Sequence, residues 1–270
     1  MLFLTSQTPC LLCYSYPHMA NAVTYLKRSD GETVTCRIRV GTGPCLLWLG
    51  GFRSDMEGTK ASYVDAWAKK NDRTFVRFDY FGHGQSSGKF EDGTISRWRD
   101  DALLVLDQLC TGEVIALGSS MGAWIALLLA KARPERIKAL TLIAPAPDFT
   151  EKLMWQGFDQ DTRRLIVERG VYYEPSDYSD EPTPITRALI EDGRQNLVMD
   201  TPIAFDGPVR ILQGAMDDSV PWSHALDLMG CLQSEDIVFT LSKSGDHSLS
   251  KPDDLSRLTA ILDAIYKKLP

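Results

Sequence analysis

Histidine is scarce in this chain. There are four among 270 residues: His18, His83, His224 and His247. No HExxH pair and no acidic cluster with metal-ligand spacing accompanies them, so neither a metal nor any other cofactor is expected. Lysine and arginine form no stripe, and the formal net charge is -7. That argues against nucleic acid as a partner, because nothing would neutralise a run of phosphates. No apolar run reaches the roughly 20 residues that span a bilayer, so stable membrane insertion is not expected. Repeats and low-complexity tracts are also missing. The first 20 residues, MLFLTSQTPCLLCYSYPHMA, contain no lysine or arginine. They lack the positive start of a signal peptide and the arginines of a transit peptide. We read them as a disordered or misassigned extension ahead of Met19, and expect a cytoplasmic protein.

The six cysteines are scattered, several within apolar runs, as expected of buried free thiols. Cys10 and Cys13 form a CxxC with no second ligand pair, which does not make a zinc or redox site. With 44% hydrophobic and 24% charged residues, the composition is that of a soluble globular protein.

An alternation of short elements follows. AVTYLKR and ETVTCRIRV read as two strands joined by a tight turn at Asp30 and Gly31. CLLWLG is wholly apolar, as a strand buried on both faces should be. Strands RTFVRFDY, EVIALG, IKALTLIAP, PVRILQG and DIVFTLSKS then alternate with helical periods. The helix over TISRWRDDALLVLDQL should be capped by Thr94 or Ser96. This order predicts an α/β fold: a mostly parallel central sheet with helices on both faces. The core should comprise residues 21–146 and 207–270. Residues 147–206, rich in acids, prolines and aromatics, interrupt the rhythm and should form an inserted helical cap.

The chemistry centres on GSSMG, residues 118–122. Gly118, Ser120 and Gly122 satisfy G-x-S-x-G, with a strand entering and a helix leaving. Such a turn lifts one hydroxyl above the sheet. Ser120 lies between the glycines and is the candidate nucleophile; Ser119 occupies the variable position. A serine needs a base to take its proton. In chain order the acid and then the histidine follow the serine. His247, after the last strand, is therefore the candidate base. Asp217 and Asp218, after PVRILQG, are both candidates for the acid that orients it, and Asp148 is a third. An oxyanion needs backbone donors. The amide of Met121 is one candidate and that of Phe52, in LGGFRSD, the other. In the cap, Trp155 and Phe158 offer apolar bulk that either lines an acyl pocket or packs the cap onto the core. Asp79, Gly82, His83 and Gly84, in DYFGHGQSSG, should hold a loop beneath the site.

The elbow and its setting resemble the α/β-hydrolase superfamily. The stretches GGFRSDMEGTKA, VRFDYFGHGQSSG, WRDD, GSSMGAW, GVYYEPSDYSDE, DDSVPW and GDH resemble more specifically its palmitoyl-protein thioesterase and acyl-glucuronide esterase branch. They span most of the chain. The resemblance implies a serine hydrolase acting on acyl esters or thioesters, with Ser120, Asp217 and His247 as triad and Phe52 and Met121 as oxyanion donors. Within GAMDDSVP, the pattern G-x-x-D-x-x-V-P puts Asp217 at the acid position. The chain departs from relatives in carrying Ala123 where glycine is common. The expected partner is a small-molecule or acylated substrate, and the expected assembly a monomer or weak homodimer. Two alternatives remain: an acyltransferase or C–C bond hydrolase using the same residues, and a non-catalytic binding protein of the same fold.

Overall fold

The computed structural model describes residues 22–175 and 181–269. The N-terminal extension, with His18 and the CxxC, lies outside the described residues.

Eight strands form one sheet: β1 (Ala22–Lys27), β2 (Thr33–Arg39), β3 (Thr42–Leu49), β4 (Arg73–Phe78), β5 (Val114–Ser119), β6 (Ile137–Ile143), β9 (Val209–Gly214) and β10 (Ile237–Ser242). Their order is β1-β2-β4-β3-β5-β6-β9-β10. Only β2 runs against the rest, pairing antiparallel with β1 and β4. The predicted architecture is the observed one.

Its layers follow from strand alternation. On β3, Cys45, Leu47 and Leu49 enter one apolar cluster while Leu46 and Trp48 enter the other. On β5, Val114 and Ala116 oppose Ile115 and Leu117 in the same way. The first face is covered by α2 (Ile95–Leu109), α3 (Met121–Ala132) and α6 (Trp222–Cys231). The second is covered by α1 (Thr59–Lys70) and α7 (Pro252–Lys268). Thr94, not Ser96, caps α2, its side chain accepting from the Arg97 amide. Helix α7 has Pro252 at its start, Asp253 and Asp254 in its first turn and lysines in its last, as backbone geometry and the helix dipole favour.

Between β6 and β9 lie a π-helical stretch (Thr150–Trp155), α4 (Gln160–Arg169), α5 (Arg187–Gln195) and two short strands, β7 (Val171–Glu174) and β8 (Thr183–Thr186). The strands pair antiparallel as a separate small sheet. Sequence reading expected only helices here. Each strand has four residues, and Pro184 interrupts the β8 pattern, so no period-2 signal develops. A small cluster of Ile166, Ile185 and Ile190 holds this segment together.

Candidate active site

The strand order reverses around β3 and β5, and in an open α/β sheet ligands bind outside the carboxyl ends of the strands at such a point. Phe52 follows β3, Ser120 follows β5, Asp217 follows β9 and His247 follows β10. A parallel sheet therefore gathers at one edge residues that are far apart in the chain.

Ser120 has φ 55° and ψ -119°, a strained conformation for a residue with a side chain. The turn is tight enough to require its glycines. A Cβ on Gly118 would lie 2.4 Å from the Gly122 carbonyl oxygen, and one on Gly122 would lie 2.0 Å from that of Leu49. The Ser120 amide donates to the Ile143 carbonyl at 2.8 Å, tying the elbow to β6. Ser119 ends β5 and is buried.

Ser120 Oγ lies 3.2 Å from His247 Nε2. On the other side of the ring, Nδ1 lies 2.9 Å from Asp217 Oδ2. With Nδ1–H donating to the carboxylate, Nε2 is left to accept from the serine hydroxyl. The Asp217 side chain is wholly buried. Its Oδ1 accepts from the amides of Ser219 and Val220 at 3.0 and 2.8 Å. Asp218 is exposed. Asp148 is buried, and its two oxygens accept the amides of Val198 and Met199 at 2.9 Å each. Burial raises its carboxyl above the usual range, against the pull of those amides. Of the three aspartates the sequence offered, Asp217 is the one hydrogen-bonded to His247.

Met121 opens α3, so no carbonyl within the helix accepts its amide. Gly51 packs against the elbow, where an added Cβ would sit 3.4 Å from Ser120 Cβ, and Phe52 comes next. The Phe52 ring packs edge-on against Phe90, Trp98 and Phe149.

His83 buttresses this loop. Its Nδ1 lies 3.1 Å from the Phe81 carbonyl, and its Nε2 accepts from the Arg53 amide at 3.2 Å. Burial pushes its imidazole down to about 4, so it is neutral at ordinary pH. Asp79 holds two neighbouring turns by accepting from Met56 and Gln85 amides at 2.7 and 2.8 Å. A Cβ on Gly84 would collide with that carboxylate at 2.2 Å. The loop-holding role expected for this motif is the one it has. His224, the remaining described histidine, is occupied by the Pro147 carbonyl, 2.8 Å from its Nε2.

Trp155 and Phe158 pack within the inserted segment. Arg163 and Arg194 approach the Trp155 ring, at 5.6 and 4.6 Å from its centroid. Phe158 meets Tyr172 edge-on. Both join the cluster that Phe52 and Met154 also touch.

Three contacts had no counterpart in the sequence reading. The Gln213 amide donates to Asp217 Oδ2. The Lys60 ammonium donates to the carbonyl of Ser248, next to His247. Burial lowers that ammonium to about 8, against the raising influence of Asp246 and Asp217. The Arg53 guanidinium reaches the inserted segment at Thr183 and Glu181. A glutamine within the apolar run VRILQG was the one visible signal among them. Among the described residues, no group of three or more His, Cys, Asp or Glu side chains is arranged to hold a metal ion.

The α/β-hydrolase-fold family profile matches residues 60–169. A palmitoyl-protein thioesterase, ABHD10, from Bos taurus is 33% identical over 252 residues, covering 92% of this chain and 81% of its own length. The chain belongs to the α/β-hydrolase family. Its fold and family are those the elbow had implied, and the thioesterase relatives support a hydrolase. The structure of α/β-hydrolase domain-containing protein 10 from mouse superposes with a TM-score of 0.86 at 32% identity, covering 92% of this chain and all of that one. A crystal structure from Agrobacterium vitis S4 gives a TM-score of 0.87 at 43% identity, covering 91% of this chain and 98% of that one.

These relatives correct one expectation. The mammalian ABHD10 proteins, matched over 92% of this chain, are mitochondrial. The cytoplasmic expectation rested on missing arginines in the first 20 residues, and it does not stand. Among the described residues, no helix is long and apolar enough to cross a membrane.

Proposed function

We propose that the protein hydrolyses acyl esters or thioesters through a covalent acyl-enzyme on Ser120. The supporting observation is the unbroken series of contacts from Ser120 Oγ through the His247 ring to Asp217, at 3.2 and 2.9 Å. His247 removes the hydroxyl proton as Oγ attacks the acyl carbonyl. Asp217 keeps the ring in the right tautomer and stabilises the imidazolium. The amides of Met121 and Phe52 receive the charge that develops on the carbonyl oxygen. His247 returns its proton to the departing alcohol or thiol. Water, deprotonated by the same nitrogen, then releases the acid.

Residues 147–206 act as a cap over this edge of the sheet. Trp155 and Phe158 contribute to the wall that meets the acyl chain, on the basis of their shared cluster with Phe52. The thioesterase relatives favour a thioester among the substrates. The test is labelling by a fluorophosphonate probe, together with turnover of p-nitrophenyl esters and acyl-thioesters of increasing chain length. Ser120→Ala should lose labelling and several orders of magnitude in kcat, while Ser119→Ala keeps the nucleophile. Near-normal turnover by Ser120→Ala would overturn the mechanism.

A further inference from the structure

Gln213 is a polar side chain on the apolar face of β9, and it is 0% exposed. Its same-face neighbours, Val209 and Ile211, belong to the main core cluster. An amide buried there carries a desolvation cost that leucine or methionine would avoid. Its surroundings are unusual for that core. Nε2 lies 3.0 Å from Asp217 Oδ2, 3.0 Å from the Val220 carbonyl and 3.3 Å from that of Gly214. Among the described residues its Oε1 has no hydrogen-bond partner. The reversed amide would aim a carbonyl at three acceptors, so the NH2 group must face them. The side chain thus forgoes a bond at one atom to present its donors on the other.

The beneficiary is one oxygen of one carboxylate. Backbone amides of Ser219 and Val220 fix Asp217 Oδ1. Oδ2, which meets His247 Nδ1, has Gln213 as its other donor. The last torsion of an aspartate is broad, so the plane of its carboxylate is set by the donors around it. Two donors at Oδ1 leave Oδ2 able to pivot about them.

We infer that Gln213 is a positioning residue that holds Asp217 Oδ2 against His247 and acts on the reaction only through that carboxylate. This rests on the catalytic reading of Ser120, His247 and Asp217. Methionine at position 213 keeps the length and removes the donor. The expected result for Gln213→Met is a fall in kcat of roughly 10- to 100-fold with KM little changed, the size of losing one hydrogen bond to a charged group. Because the effect passes through Asp217, adding Gln213→Met to Asp217→Asn should cost almost nothing further. The downfield proton resonance of His247 Nδ1 should broaden or move in Gln213→Met.

Melting temperatures of both variants, and of Gln213→Leu as a second apolar replacement, show whether the fold is kept. A folded Gln213→Met or Gln213→Leu protein with wild-type kcat and an unmoved resonance would overturn the inference. So would losses that add fully in the double variant, since a packing defect independent of Asp217 adds. If Asp217→Asn alone stays active, the underlying assignment of the acid fails, and the role of Gln213 with it.

Discussion

Arg53 Nη1 donates to Thr183 Oγ1 at 2.8 Å, across 130 residues of chain. One end of this contact is beside Phe52 in the loop after β3; the other is in β8 of the inserted segment. The same guanidinium reaches the Glu181 carbonyl at 3.3 Å, and the Arg53 amide is held by His83. The residue pays for its position with a left-handed φ of 58°. It latches the inserted segment to the loop that carries a proposed oxyanion donor. Arg53→Met and Thr183→Val should each lower kcat several-fold, and the double variant should fall no further than the worse single one. Steady-state kinetics on the three proteins checks this. Additive losses would mean that the two side chains act separately.

Adjacent aspartates should behave very differently. Asp217→Asn removes the charge that orients His247 and should lower kcat by roughly 10,000-fold. Asp218 is exposed, so Asp218→Asn should leave kcat within about twofold and change stability by no more than about 0.5 kcal/mol. Asp148→Asn should act on stability, because its oxygens hold the amides of Val198 and Met199. Measuring kcat and melting temperature side by side separates the three. Loss of activity in Asp218→Asn alone would shift the acid by one residue.

The buried His83 predicts an acid-sensitive contribution to stability. Its folded value is about 4, below the ordinary 6.5. Between those limits the unfolded chain binds a proton that the folded protein does not, so stability falls as pH drops from about 6.5 towards 4. The full interval amounts to roughly 3 kcal/mol. Asp101 works in the opposite direction over part of the same range, since burial raises its carboxyl to about 6. The wild type alone would therefore mix the two. The informative quantity is the stability difference between wild type and His83→Gln, followed by urea unfolding at several pH values. That difference should shrink as the pH is lowered.

Trp155→Ala and Phe158→Ala should change the acyl chain-length profile. The contacts also supply the opposing expectation: two arginines hold Trp155, and Tyr172 holds Phe158. If these rings serve only to pack the segment, both variants would lose thermal stability and keep the wild-type order of preference among substrates. A shifted optimum in the p-nitrophenyl ester series would assign them to the acyl wall.

Strands buried on both faces left their mark as apolar runs, which is why most of the large sheet was legible in the sequence. At β3 the strand begins at Thr42, three residues ahead of the visible run, because Gly43 and Pro44 hide its pattern. β7 and β8 were hidden for a related reason: they are too short to alternate. The serine elbow was legible because glycine spacing and flanking elements agreed. The supporting residues were not. Lys60 meets the Ser248 carbonyl across 188 residues, and Gln213 turns towards Asp217 only once the chain bends after β9. Nothing in a linear pattern marks such a meeting. Location was misread because an absence, of arginines, was given positive meaning.

The placement of the site on the sheet has a consequence for biosynthesis. Ser120 is made 127 residues before His247, and β10 is the edge strand that must dock to deliver the histidine. At ordinary translation speeds that gap is roughly 6 to 25 seconds. During it a nascent chain carries its elbow serine with no base beside it. On the proposed mechanism the nucleophile stays inert towards acyl compounds until β10 docks, so the onset of reactivity is tied to the closing of that edge of the sheet.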